Sequence, residues 1–282
     1  MRKYLFALFG IAVAVKLLIL SIAQFQQPLI VMDETLYFLQ AKEIWTNYTY
    51  ILHGKTFGAQ YPPLYPLILS PLTIIADVNL RHMSGLAVNA IISSLLIFPV
   101  FEIARMFLDE KKAFIVSAIT VFAPLSLTYS FVWMSENLYF LLFAYSVLWI
   151  LRNEKVKAGI GVGLTTLTKV IGLALLPFMI WKFRKHSIVP VILALSLPSI
   201  HFLLCLNATG EATGYHYSPH SPSSPFFIQL FLAFVYLSCA TAPSLLNFDF
   251  RKHIDIIALA ASYTVLVAFA SQLPQAHGRY YE

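Results

Sequence analysis

Charge is scarce in this chain. Of its 282 residues only 11% are charged, against about 25% in an average soluble domain. With 59% hydrophobic residues and a mean hydropathy of +0.75, it is excluded as a soluble globular protein and as a disordered one. Cysteine is scarcer still. Cys205 and Cys239 are the only two, both in apolar stretches, so there is no disulfide framework and no zinc framework. No Walker A loop occurs, and no Gly-x-Gly-x-x-Gly precedes a helix, which removes the usual nucleotide sites and with them an ATP-driven pump. His-Glu-x-x-His and Gly-x-Ser-x-Gly are absent too, and so are the zinc protease and acyl hydrolase they would mark. The net charge of +6 and pI near 9.2 resemble a nucleic-acid signal. However, the basic residues do not interleave with aromatics on a soluble surface, so no nucleic-acid partner is expected. In a membrane chain, excess Lys and Arg mark the cytoplasmic face.

Long apolar runs are what the chain has instead. The first covers 4–23, and others follow at about 82–104, 113–131, 136–151, 187–205, 226–243 and 254–271. Each approaches the ~20 residues that cross a bilayer, the run 136–151 being somewhat short. A cleaved signal peptide competes for the first run, with Ser21 and Ala23 as a cleavage site. Its apolar core exceeds the ~7–15 residues of such a peptide, so a retained helix is expected. The fold class is therefore an all-α polytopic membrane protein, one domain over 1–282, with about seven full spans.

The stretch 158–183 adds a half-helix hairpin to that count. Arg152, Lys155 and Lys157 precede it, and Lys182, Arg184 and Lys185 follow. One crossing would put these clusters on opposite sides, whereas two half-helices put both inside. The break is expected near Thr165-Thr166-Leu167-Thr168-Lys169. Backbone of that kind is tolerated only inside protein or beside a wet cavity. The N-terminus is then cytoplasmic. Arg2, Lys3, Arg105, Lys111, Lys112, Arg251 and Lys252 join the two clusters inside, making 13 of the 19 basic residues. Lys42, Lys55, Arg81, Lys169 and Arg279 fall towards the outside, and Lys16 lies within the first helix.

The outer segments differ from the short inner connectors. Residues 24–81 form one long first loop in which Leu36, Leu39, Gln40, Ile44 and Tyr48 suggest an amphipathic helix near the interface. A second short helix is expected over 64–76, opened by Pro62-Pro63. A further outer loop, about 206–225, is rich in Ser, Pro, His and Tyr.

Five places could carry chemistry. Asp33-Glu34 follows the first span on the outside. Adjacent residues on a helix face different points, so one acid can address a substrate while the other binds a metal or fixes the loop. Acids that merely complement a helix N-terminus are the plainer reading. Tyr61-Pro62-Pro63-Leu64-Tyr65-Pro66 is either a rigid bend or a stiff wall for a sugar or lipid site. Lys169, at the break, is an intramembrane charge whose natural partner is a carboxylate or phosphate; snorkelling to the interface is the alternative. Glu136 in Trp133-Met134-Ser135-Glu136-Asn137 stands at a span's outer end, where Ser135 could cap a helix. His277-Gly278-Arg279-Tyr280-Tyr281-Glu282 is the other dense polar cluster outside.

Taken in order, these pieces resemble the GT-C membrane glycosyltransferases, especially the protein O-mannosyltransferases and the aminoarabinose and related lipid-linked-sugar transferases. The resemblance rests on Met32-Asp33-Glu34-Thr35-Leu36-Tyr37 after a first helix, and on the double proline. It rests also on the glycine-rich run from Gly159 to Thr168-Lys169 and on Gly278-Arg279-Tyr280. It implies a donor sugar on a polyprenyl or dolichyl phosphate and an acceptor hydroxyl on a protein, lipid or envelope glycan. It places the active site on the extracytoplasmic face of a multi-pass membrane protein. Asp33 would accept the hydroxyl proton. Lys169, with Arg81 or Arg279, would stabilise the leaving phosphate. Tyr61, Tyr65, Glu136, His277 and Tyr280 would line the substrate site. Glu34 would fix the loop or help hold a divalent cation, Mg or Mn, jointly with Asp33.

Two departures stand out. Relatives often carry Lys or His before the double proline, where Tyr61 stands here, which shifts phosphate contact onto Lys169 or Arg81. Relatives also usually have more spans and often an outer soluble domain, so the chain reads as a fragment, a split gene product or a shortened member. A transporter or lipid-linked-sugar flippase remains open as a reading, since broken helices frame transporter sites. So does an inactive scaffold.

Overall fold

The computed structural model describes residues 2–23, 32–49 and 61–209. Among the described residues every regular element is helical. Among the described residues three helices are long and apolar enough to cross a membrane: Lys3–Ile22, Val78–Ala104 and Ile188–Asn207. The expected spans 226–243 and 254–271 and the outer loop beyond residue 209 lie outside the described residues.

Helix α1 (Arg2–Ala23) covers the first apolar run. Helix α2 (Met32–Asn47) begins with Asp33 and Glu34 in its first turn, where carboxylates meet the positive end of the helix dipole. Of its expected apolar stripe, Leu36 and Gln40 are buried, while Tyr48 lies past the helix end and is 93% exposed. Helix α3 (Leu64–Leu69) follows Pro62-Pro63 and tightens into a 3-10 turn over Ser70–Ile74, matching the short helix expected there. Asp77 caps α4 (Val78–Leu95) by accepting the Leu80 N–H at 2.7 Å. Pro99 lacks the N–H that would bond back to Leu95, and the helix pauses at Leu96 before α5 (Ile97–Ala104).

Asp109 caps α6 (Glu110–Phe122) through the Lys112 N–H at 3.0 Å. The apolar run expected over 113–131 is divided. Ala123 is extended at ψ 142°, and Pro124 opens a separate helix α7 (Pro124–Ser130). Helix α8 (Glu136–Leu151) then descends to a turn at Asn153, whose φ is 59°.

The segment after this turn is broken at Lys169. Helix α9 (Lys155–Thr168) ends at Lys169, which is extended at φ −148° and ψ 130°. A 3-10 turn (Val170–Ala174) and α10 (Leu175–Phe183) follow. Gly172 packs so closely on the last turn of α9 that a Cβ there would stand 2.6 Å from the Thr166 nitrogen. Helix α11 (Ile188–Thr209) then runs alongside α9 in parallel. Gly159 lies against Pro190, and Gly163 against Ala194. Two neighbouring helices can start level and run parallel only if the chain between them has returned. The hairpin therefore brings Lys155 and Lys185 to one end of the bundle.

The interior is sorted the way a bilayer requires. Tyr4, Phe6, Ile11 and Ile22 of α1 and Ile188, Ile192, Ile200 and Leu203 of α11 are exposed. Lys16, Glu34, Gln40, His82, Asn89 and Glu136 are buried. Large exposed apolar faces on this scale mark contact with lipid or protein. At one end Arg152 and Arg105 pair with Glu102, and Lys157 pairs with Glu154. The other end of α8, about 24 Å away at 1.5 Å per residue over its 16 residues, holds the candidate site.

Candidate functional site

Helix α2 delivers its two acids to different places, as adjacent helical positions must. Asp33 accepts the Tyr61 hydroxyl at 2.6 Å. Glu34 turns inward and is only 3% exposed. Its Oε1 accepts the Trp133 backbone N–H at 2.7 Å and lies 3.8 Å from His82 Nε2. Its Oε2 has no hydrogen-bond partner, and neither ring nitrogen of His82 has one. Buried polar atoms without partners are rare enough to demand an occupant.

Beside them lies a cavity of about 140 Å³ lined by Glu34, Thr35, Phe38, Val78, Arg81, His82 and Trp133. The His82 ring stacks on the Trp133 indole at 5.6 Å, and the indole N–H donates to the His82 carbonyl at 2.9 Å. Gly85 makes this possible, since a Cβ there would fall 2.2 Å from the indole. The Arg81 guanidinium sits over the Phe38 ring at 4.7 Å and donates to the Ala76 carbonyl. The cavity thus has largely apolar, aromatic walls, with a glutamate, a histidine and an arginine among its lining residues.

Beside it, three tyrosines form a second wall. Tyr37 stacks on Tyr61 at 4.6 Å and meets the edge of Tyr65 at 4.9 Å. The Tyr65 hydroxyl donates to Asn89 at 3.1 Å, and Asn89 donates to the Val132 carbonyl. Burial pushes the Tyr65 hydroxyl well up from its ordinary value, and the charges of Glu136 and Glu34 add to that against the pull of the Asn89 bond. Tyr65 therefore stands as a neutral donor to Asn89.

Lys169, at the break after α9, pairs with Glu136 at 2.6 Å. Its side chain is one-third exposed and Glu136 one-tenth, so a partly exposed ammonium meets a buried carboxylate. Glu136 Oε2 is a further buried oxygen without a partner.

Of the residues singled out from sequence, Asp33 and Tyr61 meet directly, as do Glu136 and Lys169. Glu34 and Arg81 share the cavity. His277, Arg279 and Tyr280 lie outside the described residues. Asp33 and Glu34 have different hydrogen-bond partners. Among the described residues no group of three or more His, Cys, Asp or Glu could hold a metal. No step below uses a divalent cation.

Sequence reasoning missed His82 and Trp133. A signal for His82 existed. His82, Gly85, Asn89 and Ser93 recur at helical spacing, so α4 presents one polar and small-residue face within an apolar run. The Trp133 contact spans 51 residues and had no local signal. Compared with known proteins, the chain matches no family model, no curated protein and no solved structure.

Proposed function

We propose that the chain is a membrane glycosyltransferase that moves a sugar from a polyprenyl-phosphate donor to an acceptor hydroxyl on the extracytoplasmic face. The observation that carries this reading is the Glu34–His82 cavity. A glycosyl ring offers hydroxyl donors to a free carboxylate oxygen and an imidazole, and an apolar face to aromatic walls. Arg81 at the same cavity suits the phosphate that joins sugar to lipid. The arginine and lysine groups gathered near Glu102 and Glu154, at the far end of α8, support a cytoplasmic assignment for that end and an outer one for the cavity. About seven spans, including those beyond residue 209, and the family resemblance in motif order belong to this proposal.

In the proposed step the acceptor oxygen attacks the anomeric carbon. The bond from that carbon to the phosphate oxygen breaks, and its electron pair leaves with the carrier phosphate. The acceptor proton passes to Asp33, which the Tyr61 hydroxyl orients. Such a base contributes roughly 10²–10⁴-fold. Glu34 and His82 hold the ring. Arg81, together with the Lys169 ammonium, would offset the charge that develops on phosphate.

A transporter or flippase reading is favoured by one observation, the break at Lys169 with its buried partner Glu136. One assay separates the two. Purified chain is given radiolabelled polyprenyl-phosphate sugar and a panel of hydroxyl acceptors in detergent, where no gradient exists. Acceptor-dependent release of polyprenyl phosphate supports transfer. Donor binding without release, together with donor translocation in vesicles, supports transport.

A further inference from the structure

Lys16 has no part in the site above, yet it is the most unusual buried group in the protein. It lies in α1 and is fully buried. It stands seven residues before the helix end, about 10 Å along the axis. Its ammonium donates to Ser93 Oγ at 2.7 Å. An ammonium carries three donors, and among the described residues no carboxylate pairs with this one. Ser93 in turn bonds Ser130 Oγ at 2.8 Å, and Ser130 donates to the Ser126 carbonyl.

This chain of hydroxyls leads to a second cavity. It measures about 270 Å³ and is lined by Ser93, Leu96, Thr120, Ala123, Ser126, Asn137 and Phe140. That is room for a head group and the first methylenes of a chain. It is distinct from the Glu34 cavity, with which it shares no lining residue. Ser93 and His82 are eleven residues apart on α4, about 16 Å along the helix.

We propose that this cavity binds the acid head of a lipid, a carboxylate or phosphate on an apolar chain, with Lys16 as the counter-charge behind Ser93. A buried intramembrane cation without an acidic partner is costly, and an anion in the cavity supplies that partner. Ser126 offers a hydroxyl and Asn137 an amide, Ser93 holds the Lys16 ammonium at the wall, and Leu96, Ala123 and Phe140 give the apolar surface that a tail requires. A free inorganic anion would lose its hydration in such walls and bring no apolar surface in return.

The test is a thermal melt of the purified full chain in neutral detergent, followed by tryptophan fluorescence. Lauric acid, dodecyl phosphate and dodecanol are titrated in separate arms. The two acids should raise the melting temperature saturably and dodecanol should not; the stronger acid identifies carboxylate or phosphate as the head. Lys16→Met and Ser93→Ala should weaken the acid titration about tenfold or more, and Lys16→Arg should retain it. If Lys16→Met does not fold, Ser93→Ala and Lys16→Arg carry the test. Arg81→Gln, which removes the phosphate contact of the proposed donor site, should leave the titration unchanged and so separates this site from the glycosyl proposal. Equal effects of dodecanol and the acids, wild-type titration in both Lys16→Met and Ser93→Ala, or loss of the acid effect in Arg81→Gln would each overturn it.

Discussion

Glu34→Gln is the sharpest perturbation of the proposed sugar site. The amide keeps the volume of the carboxylate, and its oxygen can still accept the Trp133 N–H that Glu34 Oε1 accepts at 2.7 Å. What changes is charge. A hydrogen bond to an ionised group is worth about 1.5–3 kcal/mol and a neutral one about 0.5–1.5, so the fold should lose about 1 kcal/mol. The larger loss should fall on the ligand. Glu34 Oε2 is buried without a partner, and in the substitution an NH2 group, which cannot accept, takes its place. A sugar hydroxyl that donated to the carboxylate then faces a donor. Losing that charge-assisted bond, again about 1.5–3 kcal/mol, lowers kcat/KM by about 10- to 150-fold at 1.36 kcal/mol per decade. The loss should lie mainly in KM, because the ring is held before and during transfer. The assay is polyprenyl phosphate release over a range of donor concentrations, with a thermal melt in parallel. Wild-type kcat/KM in protein that melts within a few degrees of wild type would refute the assignment of this cavity to the sugar.

Asp33→Asn should act differently, lowering kcat by about 10²–10⁴-fold with little change in donor binding; near-normal single-turnover release would remove the base assignment. Cysteine placed at Lys155 and at Lys185 should be labelled by an impermeant thiol reagent only after permeabilisation, and cysteine at Asp33 without it; Lys155 and Lys185 on opposite sides would contradict the hairpin. Gly172→Ala drives a Cβ to 2.6 Å from the Thr166 backbone nitrogen, so it should destabilise by about 1–3 kcal/mol in a denaturant or thermal melt. Asp109 has its carboxyl held below 3.8, first by the hydrogen bond from the Lys112 N–H. Because the folded value is depressed, its contribution is full above the unfolded value and fades as pH falls through the folded one. The melting-temperature gap between wild type and Asp109→Ala should therefore be constant near neutrality and close only below about pH 3.8.

The hairpin was legible because two basic clusters flank 158–183, and membrane chains keep such clusters on one side. The break at Lys169 follows from the same constraint, since each arm is too short to cross alone. The division of 113–131 was harder to read. Pro124 sits inside an unbroken apolar run, and hydropathy has no term for the missing N–H that stops α6 at Phe122. Tyr48 shows the opposite limit. It continues the apolar stripe of α2 by spacing, yet the helix has already ended and its φ is 54°.

The site was legible in its acids and not in its walls, for a physical reason. Asp33 and Glu34 announce themselves by charge at a span's end. Which of them faces a ligand depends on the helix's rotation, and that is set by what packs on the buried Leu36, Tyr37 and Ala41. Hydropathy puts the edge of a span at residue 82, so His82 reads as a boundary residue. The helix in fact starts four residues earlier, after its Asp77 cap, and this turns His82 from an end into a face. Once it is on a face, its periodic neighbours acquire meaning. Gly85 admits the Trp133 indole, Asn89 holds Tyr65, and Ser93 holds Lys16. One stripe of a single helix thereby supports both cavities. Capping at Asp77 sets the register of that stripe, so a change in the cap should disturb the two sites together, although no residue is common to both linings.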